Sequence, residues 1–130
     1  MAAELRCKNA WEPLLYARSR VAHAAAAADL DVIDVPYLDL EDLSGMVTEA
    51  DSVRDLGYSG KGCIHPKQIS SINEVFTPND EAVANAKKII TAFKKAETGL
   101  VVIDGKLIEK PVLRHMERVV AIANRVSEKR

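Results

Sequence analysis

Two carboxylates flank a short turn in the stretch LVVIDGKLIEKP, residues 100–111. Paired carboxylates can divide the work of a general acid and a general base, so Asp104 and Glu109 are the first candidates for chemistry. Asp104, however, stands in an Asp-Gly pair between two apolar runs, the pattern that favours a tight type I′ hairpin turn. We therefore predict that Asp104 is a turn residue. Glu109 is either an acid/base group or a solvated glutamate beside the positive end of the final helix.

Other polar clusters offer little for a metal centre. His65 has no second His or Cys at the spacing that a metal site needs. The acidic stretch Asp39, Glu41 and Asp42 resembles a metal cluster only superficially, and we predict instead a solvated loop that caps the next helix.

Composition limits the class of protein. The 130 residues are 48% hydrophobic and 28% charged, which is typical of one soluble globular domain. The 18 basic and 19 acidic residues are well mixed, so no basic face for nucleic acid is expected. No long apolar run predicts a membrane span, and the N-terminal stretch lacks a secretory pattern, which favours the cytoplasm. Cys7 and Cys63 lack CxxC spacing and are expected to be reduced, partly buried thiols.

Helix and strand patterns alternate through the first half of the chain. A long alanine-rich helix is predicted after a cap at Asn9, with Glu12 three residues later. A strand near residues 31–35 follows, and its short apolar composition predicts burial on both faces. A second helix stops at Gly57, and a second strand is predicted near residues 60–64.

The second half predicts helix, hairpin and helix. After a short helix in PKQISSINEVF, Thr77 is the predicted cap of a longer helix with Pro78 at its first position and Gly99 at its end. A hairpin follows at Asp104-Gly105, and a final amphipathic helix ends in a basic tail. Alternating elements imply an α/β fold with a parallel sheet, but two parallel strands are too few to stand alone. The chain is expected to be part of a larger fold.

Three motifs in register, GKGCIHPKQI, NEVFTPNDEAV and IDGKLIEKP, carry a family resemblance. The chain resembles the citrate lyase beta chain group of the HpcH/HpaI aldolase superfamily, which includes malyl-CoA and citramalyl-CoA lyases. The resemblance implies the C-terminal part of a (β/α)8 TIM barrel, with its last two parallel strands and their helices in residues 1–76. Residues 77–130 would form a lid of helix, β-hairpin and helix.

The resemblance also implies an activity. Family members cleave a 3-hydroxyacyl-CoA with the help of Mg²⁺, which polarises the acyl oxygens. The metal ligands and the arginine that holds the substrate carboxylate belong to earlier strands, and Arg6 stands where the family usually has Gly. We therefore expect an acyl-CoA lyase portion that is inactive without a complementing N-terminal chain. The alternative is a non-catalytic remnant that acts as an oligomerisation or interaction module.

Site residues follow from the same resemblance. Glu109 matches the position of a family Asp that acts as acid/base from the lid of a neighbouring subunit. The loop after the second strand would lie at the substrate-binding face of a barrel, and its alternative is a tight strand-to-helix turn. Asp34 either contacts substrate or bonds neighbouring loop backbone, and Lys61 and Lys67 are weaker candidates for CoA phosphates. The substrate-binding candidates in the loop are Gly62, Cys63, Ile64 and His65.

Overall fold

The computed structural model describes residues 2–96 and 99–128 and shows a mixed helix and strand fold. It divides into two compact units, Met1–Phe76 and Thr77–Arg130. The sequence predicts a boundary at the same place, although the identity of the two parts as barrel portion and lid stays a prediction.

The first unit alternates helices with a parallel sheet of two short strands. Residue Ile33 on β1 pairs with Gly60 on β2, and Asp34 pairs with Lys61, which confirms the predicted parallel arrangement. A short 3₁₀ turn connects β2 to the last helix of the unit. The elements, in chain order, are α1 (Trp11–Ala27), β1 (Ile33–Asp34), α2 (Leu43–Asp55), β2 (Gly60–Lys61), the 3₁₀ turn Pro66–Gln68 and α3 (Ile69–Phe76).

The predicted burial of the first strand on both faces is wrong. Ile33 is 68% exposed, whereas the carboxylate residue Asp34 is buried. The reason is that side chains from α1 and α2 cover only the face of β1 that carries Asp34, where Arg18 and Glu49 approach it. The apolar residue therefore lies on the open face of the sheet.

The apolar core of the first unit joins both helices to the segment before β2. Ala22 on α1, Val53 on α2 and Tyr58 are all buried, and Trp11 and Phe76 pack against them. The Tyr58 hydroxyl donates a hydrogen bond to the backbone oxygen of Arg18 at 3.2 Å. Burial of a valine such as Val53, which is fully inaccessible, contributes about 1.5–3 kcal/mol.

Helices α1 and α2 end in the same way, although different residues make the turn. After α2, Gly57 has φ 101°, its N–H donates to Arg54 O, and Tyr58 N–H donates to Val53 O. After α1, Asp29 has φ 55°, its N–H donates to Ala26 O, and Leu30 N–H donates to Ala25 O. Both are Schellman motifs, so the predicted stop at Gly57 is confirmed.

The two predicted N-terminal caps, Asn9 and Thr77, are wrong. Helix α1 begins after Ala10, which makes no side-chain capping bond, so Asn9 is not the cap. Helix α4 (Asp80–Lys95) begins after Asn79, whose side-chain oxygen accepts from Ala82 N–H at 2.8 Å. Thr77 is not the cap, because α4 begins two residues later than predicted and Asn79 takes the capping position.

The second unit contains α4, a hairpin and a long final helix. Strands β3 (Leu100–Ile103) and β4 (Lys106–Glu109) pair in antiparallel register, and α5 spans Lys110–Glu128. Asp104 and Gly105 have φ of 48° and 75°, which confirms the predicted turn.

Burial in the second unit is confined to a few residues. Ala86 and Ile89 on α4 and Ile108 on β4 are buried, while no described residue of α5 is fully buried. Helix α4 ends at Lys95 rather than at Gly99, which has φ 75° just before β3. The predicted basic tail, Lys129-Arg130, lies outside the described residues.

Candidate functional site

Four charged side chains meet between the sheet and the helices of the first unit. Arg18 of α1 donates from Nε and Nη2 to the two carboxylate oxygens of Asp34 at 3.1 and 3.2 Å. Lys61 Nζ donates to Asp34 Oδ2 and to Glu49 Oε1, both at 2.6 Å. Arg18 Nη2 also lies 3.2 Å from Glu49 Oε1, so two cations and two anions form one closed network. We call these four residues the ion network.

The ion network is buried and balanced in charge. The side chains of Asp34 and Lys61 are fully inaccessible, and that of Glu49 is 19% exposed. Within the described residues Arg18 Nη1 has no hydrogen-bond partner, and the guanidinium lies 5.2 Å from the centroid of the Trp11 ring. A cation over an indole face is an attractive contact, so Trp11 compensates part of the missing bond.

The ion network does not fit a magnesium ion. Mg²⁺ prefers carboxylate oxygens in octahedral geometry, and Asp34 and Glu49 are the carboxylates that meet here. The Lys61 ammonium, however, already lies between them and also donates to Val35 O at 2.9 Å. Among the described residues, no group of three or more His, Cys, Asp or Glu side chains is placed to hold a metal.

The loops that follow β1 and β2 lie side by side. Gly62 N–H donates to Asp34 O at 2.9 Å, and a Cβ at Gly62 would lie only 3.2 Å from Pro36 Cγ. Glycine thus permits the close approach of the two loops. The Gln68 side chain accepts from Ile64 N–H and donates to Tyr37 O, each at 2.9 Å. The two loops therefore form one continuous surface at the carboxyl end of the strands.

Tyr37 is the aromatic residue of the first loop. Its hydroxyl donates to Asp42 Oδ2 at 2.8 Å, and this hydrogen bond is the main reason that the pKa of Tyr37 is raised to about 12. Asp42 caps α2 by accepting from Gly45 N–H, and that bond, followed by those from Tyr37 and Ser44, lowers the pKa of Asp42. The predicted capping role of the acidic stretch is confirmed.

A cleft of about 260 Å³ opens beside the first loop. It is lined by Asn9, Arg18, Val35, Pro36, Tyr37, Leu38, Asp39 and Glu49. The unpartnered Arg18 Nη1 atom is buried from solvent, so the cleft gives no direct access to it.

A family model described as HpcH/HpaI aldolase/citrate lyase matches residues 2–66, which is half of the chain. The chain belongs to this family. It is 34% identical over 116 residues to citrate lyase subunit beta of Leuconostoc mesenteroides subsp. cremoris, covering 87% of this chain and 38% of that protein. It is 33% identical over 121 residues to the mitochondrial citramalyl-CoA lyase of Rattus norvegicus, covering 91% of this chain and 36% of the relative.

A solved structure extends the family likeness to most of the fold. The chain matches the CitE protein of Mycobacterium tuberculosis, solved in complex with magnesium, acetoacetate and coenzyme A, with a TM-score of 0.79 and 27% identity. The match covers 95% of this chain and 49% of that structure. The chain thus spans little more than a third of the two curated relatives and about half of this structure. No helix in the described ranges is long and apolar enough to cross a membrane.

The residues expected from the family resemblance lie in two different units. In the first unit the backbone of Asp34 contacts the loop Gly62–His65, while the Asp34 carboxylate is occupied by Arg18 and Lys61. Cys63 is exposed, which corrects the expectation of a partly buried thiol, and both cysteines are free. Glu109 is the last residue of β4 in the second unit and is exposed. Substrate contact and acid/base roles for these residues stay predictions.

The sequence patterns did not predict the residues that hold the two loops and the ion network together. Arg18 and Glu49 stand among surface-type helical residues, and Lys61 follows a glycine at the start of a strand. A usable signal exists only for Gln68, a polar residue at the end of the 3₁₀ turn that Pro66 begins. The side chain of Lys61 is fully buried, so its ammonium is not presented to a phosphate, whereas Lys67 is partly exposed and pairs with Glu41 at 2.9 Å.

Proposed function

We propose that this chain is the C-terminal portion of a CoA-ester carbon-carbon lyase that cleaves a 3-hydroxyacyl-CoA such as malyl-CoA or citramalyl-CoA. One observation carries the proposal: the two strand-end loops that form one surface lie within the segment matched by the family model. In a (β/α)8 TIM barrel, the carboxyl ends of the strands are where substrates bind. The backbone of Gly62–His65 would then contact the acyl-CoA.

The chemistry assigned to this chain is proton transfer. In cleavage, the 3-hydroxyl group loses its proton, the bond between carbons 2 and 3 breaks, and a carbonyl product leaves. The electron pair remains on the thioester as an enolate, which takes up a proton to give the shorter acyl-CoA. We assign to Glu109 the role of acid/base in these transfers because it matches the position of the family's acid/base Asp, and its exposure at the end of β4 is compatible with that role.

The magnesium of the family would be held elsewhere. The carboxylates of the ion network are already bridged by Lys61, so the described residues offer no fitting ligand set. When bound, Mg²⁺ supplies polarisation of the acyl oxygens. We propose that its ligands come from a complementing N-terminal barrel portion, and that the working protein is a cytoplasmic oligomer that binds acyl-CoA.

A complementation assay tests the proposal. The chain is mixed with a second polypeptide that carries the remaining barrel strands of the rat citramalyl-CoA lyase, and release of the carbonyl product from citramalyl-CoA is followed with Mg²⁺ present. We expect activity from the mixture and none from either part alone. Replacement of Glu109 by Gln should lower that activity by about 100-fold or more, whereas Glu109→Asp should retain it.

Two controls make the assay decisive. Glu117→Gln changes an exposed carboxylate on α5 and should leave the activity unchanged. If the mixture forms a stable complex that binds acetyl-CoA and still releases no product, the lyase assignment is wrong.

A second candidate function is an oligomerisation or interaction module. It is favoured by the large apolar side chains that the first unit leaves exposed, among them Leu30, Ile33 and Leu38 at 66%, 68% and 65% exposure. Helix α5 adds apolar residues that are only partly covered. A stable oligomer of the isolated chain, together with an inactive complemented mixture, would support this alternative.

A further inference from the structure

Gln68 is fully buried at the end of the 3₁₀ turn, and each end of its side-chain amide meets a different loop. Its Oε1 accepts from Ile64 N–H in the loop after β2, and its Nε2 donates to Tyr37 O in the loop after β1. One partner is a donor and the other an acceptor, so together they fix the orientation of the amide. A residue of equal size without both functions could not satisfy the two loops.

The groups that Gln68 satisfies belong to the backbone of both loops. Both hydrogen bonds are partly buried, and a backbone N–H or C=O that loses its partner there costs free energy, so the two loops favour the arrangement in which Gln68 bonds to both. Other ties act nearby: Lys61 donates to Val35 O from inside the ion network, and Lys67 pairs with Glu41. The pair Lys67–Glu41 is largely exposed at Glu41 and therefore contributes little.

We propose that Gln68 is a positioning residue, which locks the loop after β1 to the loop after β2 and so presents their backbone groups to an acyl-CoA as one preorganised surface. The part that concerns acyl-CoA rests on the proposed function. Preorganisation of this kind raises affinity because the loops lose less freedom when the ligand binds. Gln68 itself touches no substrate and acts through Tyr37 and Ile64.

Amide hydrogen exchange of the 130-residue chain tests the link between the loops. Gln68→Met keeps the size of the side chain and removes both hydrogen bonds, so Ile64 N–H should exchange about tenfold faster. Gln68→Glu, measured at a pH at which the new carboxyl group is ionised, keeps an acceptor for Ile64 and loses the donor to Tyr37. It should therefore shift the Tyr37 carbonyl-carbon resonance and leave Ile64 exchange near its wild-type rate. Val53→Ala, which weakens the core of the same unit without touching either loop, is the matched control.

Exchange rates are compared at denaturant concentrations that give each variant the same global stability. A local increase at Ile64 in Gln68→Met, absent in Val53→Ala, supports the proposal. Equal exchange in the two variants would show that Gln68 contributes only general stability, and the proposal would be overturned.

Binding of acetyl-CoA by the complemented protein separates this inference from the proposed function. If the wild-type mixture binds, Gln68→Met should raise the dissociation constant about tenfold while Val53→Ala leaves it unchanged. An unchanged constant in Gln68→Met would refute the positioning role. If the wild-type mixture does not bind, the proposed function fails, and Ile64 exchange still decides whether Gln68 joins the loops.

Discussion

Lys61 Nζ lies 2.6 Å from Asp34 Oδ2, and the two residues are opposite partners in the parallel register of β1 and β2. Both side chains are fully inaccessible. Parallel sheets usually present apolar residues to their helices, whereas here the face towards α1 and α2 carries a salt bridge. The free-energy cost of desolvating the two charges is offset by further contacts: Asp34 also pairs with Arg18, and Lys61 also pairs with Glu49.

Replacement of Lys61 by Met should strongly destabilise the first unit. The change removes one cation and leaves the carboxylates of Asp34 and Glu49 with only Arg18, so we expect a loss of about 3–5 kcal/mol in the free energy of unfolding. Urea denaturation followed by Trp11 fluorescence measures it, since Trp11 packs on the same core.

Lys67→Met is the matched control for that change. Lys67 is partly exposed and its partner Glu41 is 92% exposed, so the loss should be about 0–1 kcal/mol. Similar losses from the two substitutions would mean that the buried network contributes no more than a surface pair.

Substitutions at the equivalent positions of the two Schellman motifs should change the free energy of unfolding in opposite directions. Asp29 holds a left-handed conformation after α1 and places a negative charge at the negative end of the helix. Asp29→Gly should therefore raise the free energy of unfolding by about 0.5–1 kcal/mol. Gly57→Ala should lower it by about 1 kcal/mol through backbone strain alone, because nothing lies within 4 Å of the added Cβ. Thermal unfolding by circular dichroism measures both, and a stabilised Gly57→Ala variant would contradict this account.

The elements predicted correctly are those that depend on glycine at a position of positive φ. The turn at Asp104-Gly105 and the stop at Gly57 both need positive φ, and the glycine in each sequence indicates this. The turn at Asp29 has the same geometry but lacks glycine, so no pattern marked the end of α1. The predicted cap at Asn9 failed because α1 begins after Ala10 without a side-chain cap, and the predicted cap at Thr77 failed because Asn79, a second polar residue near the helix start, takes that role.

Only the part of the candidate site that is formed by residues close together in sequence could be predicted. The loop Gly62–His65 follows from motif resemblance and strand order. The ion network instead joins residues that are 12 to 31 positions apart in sequence, and their neighbours in the helices and strands have the composition of an ordinary protein surface. Long-range pairing of charges depends on how α1 and α2 pack on the sheet, and local patterns do not contain that information.

Tyr37 should dominate the titration of tyrosines at high pH. Its folded pKa is raised from 10.0 to about 12, so the neutral phenol stabilises the folded state fully below pH 10 and this contribution is lost as pH rises towards 12. Tyr37→Phe should remove the last step in the tyrosinate absorbance curve and lessen the fall in stability over that range.

Tyr58 complicates the curve because burial also raises its pKa. The prediction for Tyr37 fails if Tyr37→Phe leaves the last step of the tyrosinate absorbance curve in place.

The isolated chain should self-associate through the open face of its parallel sheet. Within the described residues the parallel sheet has two strands, and the side chain of Ile33 on that face is 68% exposed. Exposed apolar patches and open strand edges favour pairing with other chains. Size-exclusion chromatography with light scattering should show a mass that rises with concentration. Ile33→Lys should reduce that association, whereas Val102→Lys, at a similarly exposed position of the second unit, should not. A wild-type chain that stays monomeric at all concentrations would show that this face does not drive association.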